Sequence, residues 1–206
     1  MAMMVTAGIA GASASVPTLS GGTPEAGAAA SGGAPTAISL SAHRNVMSNR
    51  AVTLRGRVTP AGRRPVTIQA GGRELHARTT EGGRFRAGWH AGGSGVYRAR
   101  ATVDGSSVRS HAVRINVYRP AAASYYGPGL YGGGLACGGT LTPSKMGVAN
   151  KSLPCGAKVT LRYRGNTVTV PVVDRGPYSG NREYDLTAAT RAKLGFPSTG
   201  TVLTTR

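Results

Sequence analysis

The chain is poor in acidic and aromatic residues, and it lacks a long apolar run. Seven Asp and Glu stand against 25 Lys and Arg, so the formal net charge is +18 over 206 residues. No segment in the body of the chain reaches the roughly 20 apolar residues that a membrane-spanning helix needs. Aromatic residues make up 5% of the chain whereas 32 residues are glycine. This composition is typical of short strands and many turns.

Histidine is also scarce, because all four histidines precede residue 112. The C-terminal part therefore has no Ser-His or Cys-His pair for nucleophilic catalysis, and no histidine ligands for a metal. Gly127–Gly132 formally matches a dinucleotide fingerprint, but a proline interrupts it and no βαβ unit surrounds it. We expect neither a cofactor nor a metal.

The two cysteines, Cys137 and Cys155, are 18 positions apart. One such pair in a β-rich region indicates a disulfide and an oxidising compartment. A loop of this length gives about 3 kcal/mol in the chain-entropy model. The alternative is two unrelated buried thiols.

The N-terminus suggests export. Residues 1–15 are small and apolar, and Ala12-Ser13-Ala14 resembles a signal-peptide cleavage site, although a basic start is missing. Residues 16–36 are rich in Ser, Thr, Gly, Ala and Pro, which predicts a flexible linker. We expect a secreted or wall-associated protein.

Residues 37–119 predict an antiparallel β-sandwich. Short alternating runs are separated by turn residues such as those at 59–62, 71–72 and 104–105. Roughly seven strands are expected, in the runs Ile38–Leu40, Val52–Val58, Val66–Ala70, Leu75–Thr79, Arg84–Trp89, Val96–Val103 and Val108–Val117. The segment resembles immunoglobulin-like modules of bacterial surface proteins, a likeness of fold that implies a spacer.

The composition of the chain changes after residues 120–123, Pro-Ala-Ala-Ala. We interpret these four residues as a hinge. Residues 124–206 hold both cysteines and all the lysines. Lys158–Tyr163 and Thr167–Val173 flank Arg164-Gly165-Asn166, a pattern typical of a hairpin. Asp185–Leu194 predicts a short helix that Asp185 or Thr187 would cap and Gly195 would end. The segment therefore predicts a small β-barrel with one helix.

One acid of this barrel stands out. Asp174 follows the apolar Val172 and Val173 and precedes Arg175 in a stiff Arg-Gly-Pro turn. It is a candidate catalytic acid, a ligand-binding carboxylate or a cap of its own turn. Asp185 is similarly either a site residue or a helix cap.

Six of the eight tyrosines share the barrel with these carboxylates. Aromatic rings stack on the apolar faces of sugars, and a carboxyl group can protonate a glycosidic oxygen. The candidate glycan-binding residues are Tyr125, Tyr126, Tyr131, Asn150, Arg175, Tyr178 and Asp185, and the candidate catalytic residue is Asp174.

An ordered set of short motifs in residues 124–206 resembles the rare-lipoprotein-A (RlpA)-like family, which is related to expansins. The motifs are Ser124–Gly129, Leu135–Gly138, Val148–Gly156, Val173–Tyr178 and Tyr184–Thr187. The resemblance implies a six-stranded double-psi β-barrel. The cysteine pair is similar to the disulfide-bearing version found in exported proteins.

The resemblance also implies a reaction. Characterised members are lytic transglycosylases that cleave peptidoglycan without water and leave a 1,6-anhydro sugar, with Asp174 here as general acid and then base. Active members carry Glu at the position of Gly139 and His at the position of Asn150. Two of the three polar groups of the family's site are therefore absent.

We expect an exported, all-β, two-domain protein whose barrel acts on peptidoglycan glycan strands. The alternatives are an expansin-like module that binds wall polysaccharide without cleaving it, and a polyanion binder driven by the net charge. In the first two cases the basic surface could also contact anionic wall polymers. No sequence-specific binding of nucleic acid is expected.

Overall fold

The computed structural model describes residues 33–206, so the predicted signal segment and most of the predicted linker lie outside the described residues. The N-terminal half consists of strands β1 to β7 and the first part of β8. Their bounds are β1 Ala37–Ser41, β2 Asn45–Met47, β3 Val52–Thr59, β4 Pro65–Ala70, β5 Arg73–Arg78, β6 Arg84–Trp89, β7 Gly95–Val103 and β8 Val113–Tyr126.

These strands form two facing sheets. One has the order β1-β3-β6 and the other runs β8-β7-β4-β5, with β2 added in parallel on β8. Alternate residues of both sheets meet in one core that includes Leu54, Ile68, Trp89 and Ile115. Trp89 contacts Tyr97 edge to face, with ring centroids 5.1 Å apart. The segment is thus a two-sheet sandwich, and its immunoglobulin-like identity stays a prediction.

Strand β8 continues from the sandwich into the C-terminal half. Residues 120–123 do not form the predicted hinge, because they lie inside β8 and pair with β13 (Gly200–Thr204). Ala121 and Ala123 are buried in the second core. The hinge interpretation was wrong because the partner that makes this segment a strand lies about 80 residues further along the chain.

The C-terminal half is a closed six-stranded barrel. Its further elements are β9 Val148–Ala149, β10 Lys158–Tyr163, β11 Asn166–Asp174, β12 Tyr184–Thr187 and helix α1 Ala188–Leu194. The strand order is β12-β9-β11-β10-β13-β8, and parallel pairing of β12 with β8 closes the ring. Leu161, Val172, Leu186 and Val202 fill its interior.

The hairpin of β10 and β11 is confirmed. It turns at Arg164 and Gly165, whose φ angles are both positive at 44° and 95°. Two such residues in a two-residue turn match the right-handed twist of the flanking strands.

Helix α1 begins later than predicted. Thr187 is its N-cap, and the Thr187 side chain accepts a hydrogen bond from the Thr190 backbone N–H. Asp185 does not cap the helix, since it lies on β12 two residues earlier. Gly195 ends the helix as predicted, in a left-handed conformation with φ of 65°.

Candidate active site

Four strands bring the two candidate aspartates onto one face of the barrel wall. Asp174 on β11 is opposite Ala149 on β9, Ala149 is opposite Asp185 on β12, and Asp185 is opposite Ser124 on β8. Their neighbours Val148, Leu186 and Ala123 point into the barrel core. Residues in one row share a face, so this row faces away from the barrel interior, although Ser124 and Ala149 are each only 3% exposed. We call Ser124, Asp185, Ala149 and Asp174 the carboxylate row.

A bulge in β11 sets the direction of Asp174. Val172 is paired with Val148 and Asp174 with the next residue, Ala149, so Val173 is an extra residue in the ladder. Val172 belongs to the barrel core, whereas Val173 packs in a separate small cluster with Leu135 and Leu141. Such bulges redirect side chains at strand ends. The bulge thus aims Asp174 toward the outer cluster.

Loop contacts hold one oxygen of the Asp174 carboxylate. Its Oδ1 accepts hydrogen bonds from the backbone N–H of Ala136 and of Arg175, each 2.9 Å long. The bond from Arg175 is the turn cap considered for this residue. The bond from Ala136 is an additional contact from a distant loop. Within residues 33–206 these are the hydrogen bonds of standard length to this carboxylate, and the Tyr126 hydroxyl is its further polar neighbour.

Tyr126 lies beside this carboxylate. Its hydroxyl is buried and has no standard hydrogen-bond partner in the described part of the chain. Burial, followed by the negative charge of Asp174 and a smaller effect of Asp185, raises the tyrosine pKa well above its ordinary value. The hydroxyl therefore keeps its proton and can act as a hydrogen-bond donor next to Asp174.

Asp185 and Ser124 form the other end of the row. The Ser124 hydroxyl donates a hydrogen bond to Asp185 Oδ1, and both side chains are at least partly buried. A carboxylate held in this way is a hydrogen-bond acceptor in a fixed position. Sequence reasoning missed Ser124, although its alternation with the inward-pointing Ala123 was a usable signal.

The predicted tyrosines do not all meet at this row. Tyr125 alternates with Tyr126 on β8 and packs against the barrel core, with the Arg191 guanidinium 4.4 Å from its ring centroid. Tyr131 is 41% exposed. Its hydroxyl oxygen would lie 3.1 Å from a Cβ atom built on Gly127, so this side chain packs beside Gly127. Tyr178 is 80% exposed after the cis Gly176-Pro177 bond.

Asn150 has a structural environment. Only 4% of it is exposed, and its Nδ2 donates to the Glu183 carbonyl oxygen at 3.1 Å. Its Oδ1 accepts from the backbone N–H groups of Ser152 and Leu153. The side chain thus fixes the turn after β9, and its polar atoms are engaged by the protein itself.

Arg175 and the disulfide tie the loops around Asp174 together. Cys137 and Cys155 form the predicted disulfide, with Cα atoms 5.4 Å apart. The Arg175 guanidinium donates to the Asn150 carbonyl oxygen and to Cys155 Sγ, each at 3.1 Å. Cys137 N–H donates to the Val173 carbonyl oxygen. These contacts connect three segments that surround the carboxylate.

A polar network sets the position of β9. The Gly147 N–H donates to the hydroxyls of Thr187 and Thr190, at 3.2 and 2.9 Å, and all three residues are buried. A Cβ atom on Gly147 would lie 2.4 Å from a methyl carbon of Val173, so only glycine fits there. The sequence carried no signal for this network beyond the helix cap.

A separate cleft of about 630 Å³, whose lining includes no residue of the carboxylate row, lies beside residues 119–122 of β8 and 181–184 at the start of β12. Glu183, two residues before Asp185, donates its N–H to the Ala122 carbonyl oxygen and lines this cleft. Arg119 binds both Glu183 carboxylate oxygens, at 2.7 and 2.5 Å, and this hydrogen bonding raises the Arg119 pKa. The cleft is also lined by Lys151, Arg182 and Arg206.

Neither a membrane-spanning helix nor a metal-binding cluster is found among residues 33–206. They contain no helix with the length and apolar character required to cross a membrane. They also bring no three His, Cys, Asp or Glu side chains into a cluster that could hold a metal ion.

The fold and the carboxylate row define a closed double-psi β-barrel with an acidic site on its outer wall. A family model described as "Lytic transglycolase" matches residues 121–205. This C-terminal domain belongs to the RlpA-like double-psi β-barrel family.

Named relatives agree with this assignment. The chain is 36% identical over 98 residues to "Probable endolytic peptidoglycan transglycosylase RlpA" of Synechocystis, covering 42% of this chain and 30% of that protein. It is 32% identical over 102 residues to "Endolytic peptidoglycan transglycosylase RlpA" of Campylobacter jejuni, covering 48% and 37%. The Pseudomonas aeruginosa protein of that name is 41% identical over 81 residues, covering 38% and 24%. The chain thus spans about a quarter to just over a third of these relatives.

A solved structure is also similar to the chain. The "Streptomyces papain inhibitor (SPI)" is 27% identical and covers 43% of this chain and 94% of that chain, with a TM-score of 0.34.

Proposed function

We propose that this protein acts outside the cytoplasm as a lytic transglycosylase, with the glycan strand of peptidoglycan lying along the carboxylate row. The observation that carries the proposal is the arrangement at Asp174. One of its oxygens is fixed by two backbone N–H groups, and the Tyr126 hydroxyl is a further polar neighbour of the carboxylate. The names of the similar proteins support peptidoglycan as the substrate.

Asp174 is the proton carrier of the proposed reaction. In its protonated form it donates its proton to the glycosidic oxygen as the bond between that oxygen and C1 of the sugar breaks. The C6 hydroxyl of the same sugar then attacks C1 and returns its proton to Asp174. A 1,6-anhydro end results, the carboxyl group is regenerated and no water is consumed.

The neighbouring groups position the substrate. The buried Tyr126 hydroxyl stays protonated beside Asp174 and donates toward its carboxylate. Asp185 is two strands away, about 10 Å between Cα atoms by sheet geometry, and it accepts from hydroxyls of a neighbouring ring. The exposed rings of Tyr131 and Tyr178 offer stacking surfaces.

The proposed site works with fewer polar groups than that of the family's active members. Gly139 has a φ of 80°, and a Cβ atom there would face Lys145 Nζ at 3.9 Å. Asn150 cannot shuttle a proton and is occupied by turn contacts. Asp174 is then left as the single proton-transferring carboxylate.

Mass spectrometry of purified peptidoglycan after incubation with the protein tests this function. We expect muropeptides with 1,6-anhydro ends, and we expect Asp174→Asn to lower their release by about 10²- to 10⁴-fold. Asp104→Asn, which changes an exposed sandwich aspartate, is the matched control and should leave the rate unchanged. Undiminished release by Asp174→Asn would exclude the proposed role. Binding to insoluble wall without soluble products would instead indicate an expansin-like module.

A further inference from the structure

The outer face of the three-stranded sheet carries four arginines in a compact block. Arg55 on β3 is directly opposite Arg86 on β6, and Arg57 on β3 is directly opposite Arg84 on β6. Residues i and i+2 of a strand share a face, so all four side chains leave the sheet on its solvent side. All four are exposed. We call Arg55, Arg57, Arg84 and Arg86 the arginine grid.

The dimensions of the grid follow from sheet geometry. Opposite Cβ atoms are about 5 Å apart, and positions two residues apart along a strand are about 7 Å apart. Four guanidinium groups therefore originate from a rectangle of about 5 by 7 Å. Each planar group has five N–H donors in a fork that matches two oxygens of a phosphate.

Within residues 33–206 the grid has no acidic counterpart. The sandwich has three acids there, and none forms an ion pair with a grid arginine. Glu81 pairs with Arg63, Glu74 contacts Gln69 and His76 on the opposite sheet, and Asp104 lies in the turn after β7. Like charges directly opposite each other on a sheet are destabilising. The grid therefore carries an electrostatic cost that the fold itself does not relieve.

The surroundings of the grid leave it accessible. Ser41 and Ser39 of β1 extend the two arginine rows, being opposite Arg55 and Arg57 respectively. Both are short, and they donate hydrogen bonds to backbone oxygens of β3. A cavity of about 200 Å³ lies at one end, lined by Ser41, Ala42, His43, Thr53 and Arg55. The arginine grid is thus bordered at one end by a small polar cavity.

We propose that the arginine grid binds a linear phosphodiester polymer attached to the cell wall. Charge complementarity carries the argument, because one phosphate can engage only part of a rectangle of four forks. A chain of phosphates at successive positions can neutralise both rows. The assignment of the polymer to the wall rests on the function proposed for the barrel, whereas the binding of repeated phosphates rests on the grid alone.

Affinity measurements with a matched pair of variants test the grid. The grid variant replaces Arg55, Arg57, Arg84 and Arg86 with Gln. The control replaces Arg73, Arg78, Arg98 and Arg100, on the other sheet, with Gln and so removes the same charge from the same domain. The probe is a purified poly(glycerol phosphate) chain, titrated at several salt concentrations and followed by fluorescence anisotropy.

We expect the grid variant to lose at least tenfold more affinity than the control. The slope of log affinity against log salt should decrease by about three in the grid variant, as for four lost phosphate contacts. A fourfold Arg→Lys variant should fall between wild type and the grid variant, because Lys keeps the charge and loses the fork. The grid variant should also be at least as resistant to heat as wild type, monitored at Trp89.

Three outcomes would overturn the proposal. An equal loss in the control would show diffuse attraction by the net charge. Unchanged affinity in the grid variant would exclude the grid. Tighter binding of single-stranded DNA with the same number of phosphates would assign the grid to nucleic acid. Release of anhydro-muropeptides from polymer-free peptidoglycan, measured in parallel, separates failure of this proposal from failure of the barrel's proposed activity.

Discussion

The sandwich and the barrel treat their acidic residues in opposite ways. Each has three within the described residues, yet Glu74, Glu81 and Asp104 of the sandwich are all exposed. In the barrel all three are half-buried, and they are Asp174, Glu183 and Asp185. Exposed ion pairs contribute little to stability, whereas a partly buried carboxylate must be compensated by hydrogen bonds or a counter-ion.

The difference shows how each domain arranges its fixed charges. The barrel compensates its carboxylates with Ser124, Arg119 and the backbone N–H of Ala136, and so holds negative charge in fixed positions along one face. The sandwich instead leaves the four arginines of the arginine grid on its surface without an acidic partner among the described residues. One domain is organised around a few placed acceptors, and the other around a repeated cation.

The largest loss of unfolding free energy is expected when a cavity is created in one core and the other core is left unchanged. Leu161 in the barrel and Leu54 in the sandwich are both completely buried, and each Leu→Ala change should cost about 2 to 5 kcal/mol of unfolding free energy. The single Trp, Trp89, reports only on the sandwich. With Leu161→Ala we expect faster hydrogen exchange in barrel peptides. The denaturation midpoint reported by Trp89 should shift less in Leu161→Ala than in Leu54→Ala. Equal shifts would show that the two cores unfold as one unit.

Next in size is the disulfide, which exists only in the barrel. The double variant Cys137→Ala/Cys155→Ala should lose about 3 kcal/mol of unfolding free energy, because the unfolded chain regains the freedom of the 18-residue loop. Hydrogen exchange of barrel peptides, recorded at increasing urea concentrations, measures this loss. Chemically reduced wild-type protein is the reference. A change of the same size at Trp89 would contradict the separation of the domains.

The smallest effect concerns alkaline stability. Burial raises the pKa of Tyr184 to about 12, above the ordinary value near 10. Above pH 10 the unfolded chain loses this proton before the folded barrel does, so stability is complete below pH 10 and falls as the pH approaches 12. Tyr184→Phe should therefore show a shallower loss of urea midpoint between pH 9 and 11. The exposed Tyr178→Phe serves as its control, and an identical slope in both variants would refute the prediction.

Local patterns in the sequence predicted much of the architecture. The alternation in residues 37–119 located seven strands, and the two-residue turn at Arg164 and Gly165 located the hairpin. The short β2 was missed, since three residues are too few to establish a period. These successes depend on interactions between residues close together in the chain.

The errors arose where distant segments determine the structure. Asp185 lies in a strand because it pairs with Ser124 and Ala149. Its separation from Gly195 along the sequence is equally compatible with a helix N-terminus. Asn150 was predicted to face a glycan, but the turn at Leu153 and the carbonyl of Glu183 occupy its amide. Tyr125 and Tyr126 were predicted together, yet strand alternation sends them to opposite sides. The assignment of the remaining site residues stays a prediction.

Strand β8 also gives the molecule a mechanical property. Its 14 residues extend for about 45 Å and are held by hydrogen bonds to the sandwich at one end and to the barrel at the other. A load applied to the sandwich is thereby transmitted through a paired backbone and not through a slack tether. The continuous strand limits bending between the two domains. If the sandwich were anchored to a surface, the distance between that surface and the carboxylate row would therefore vary little.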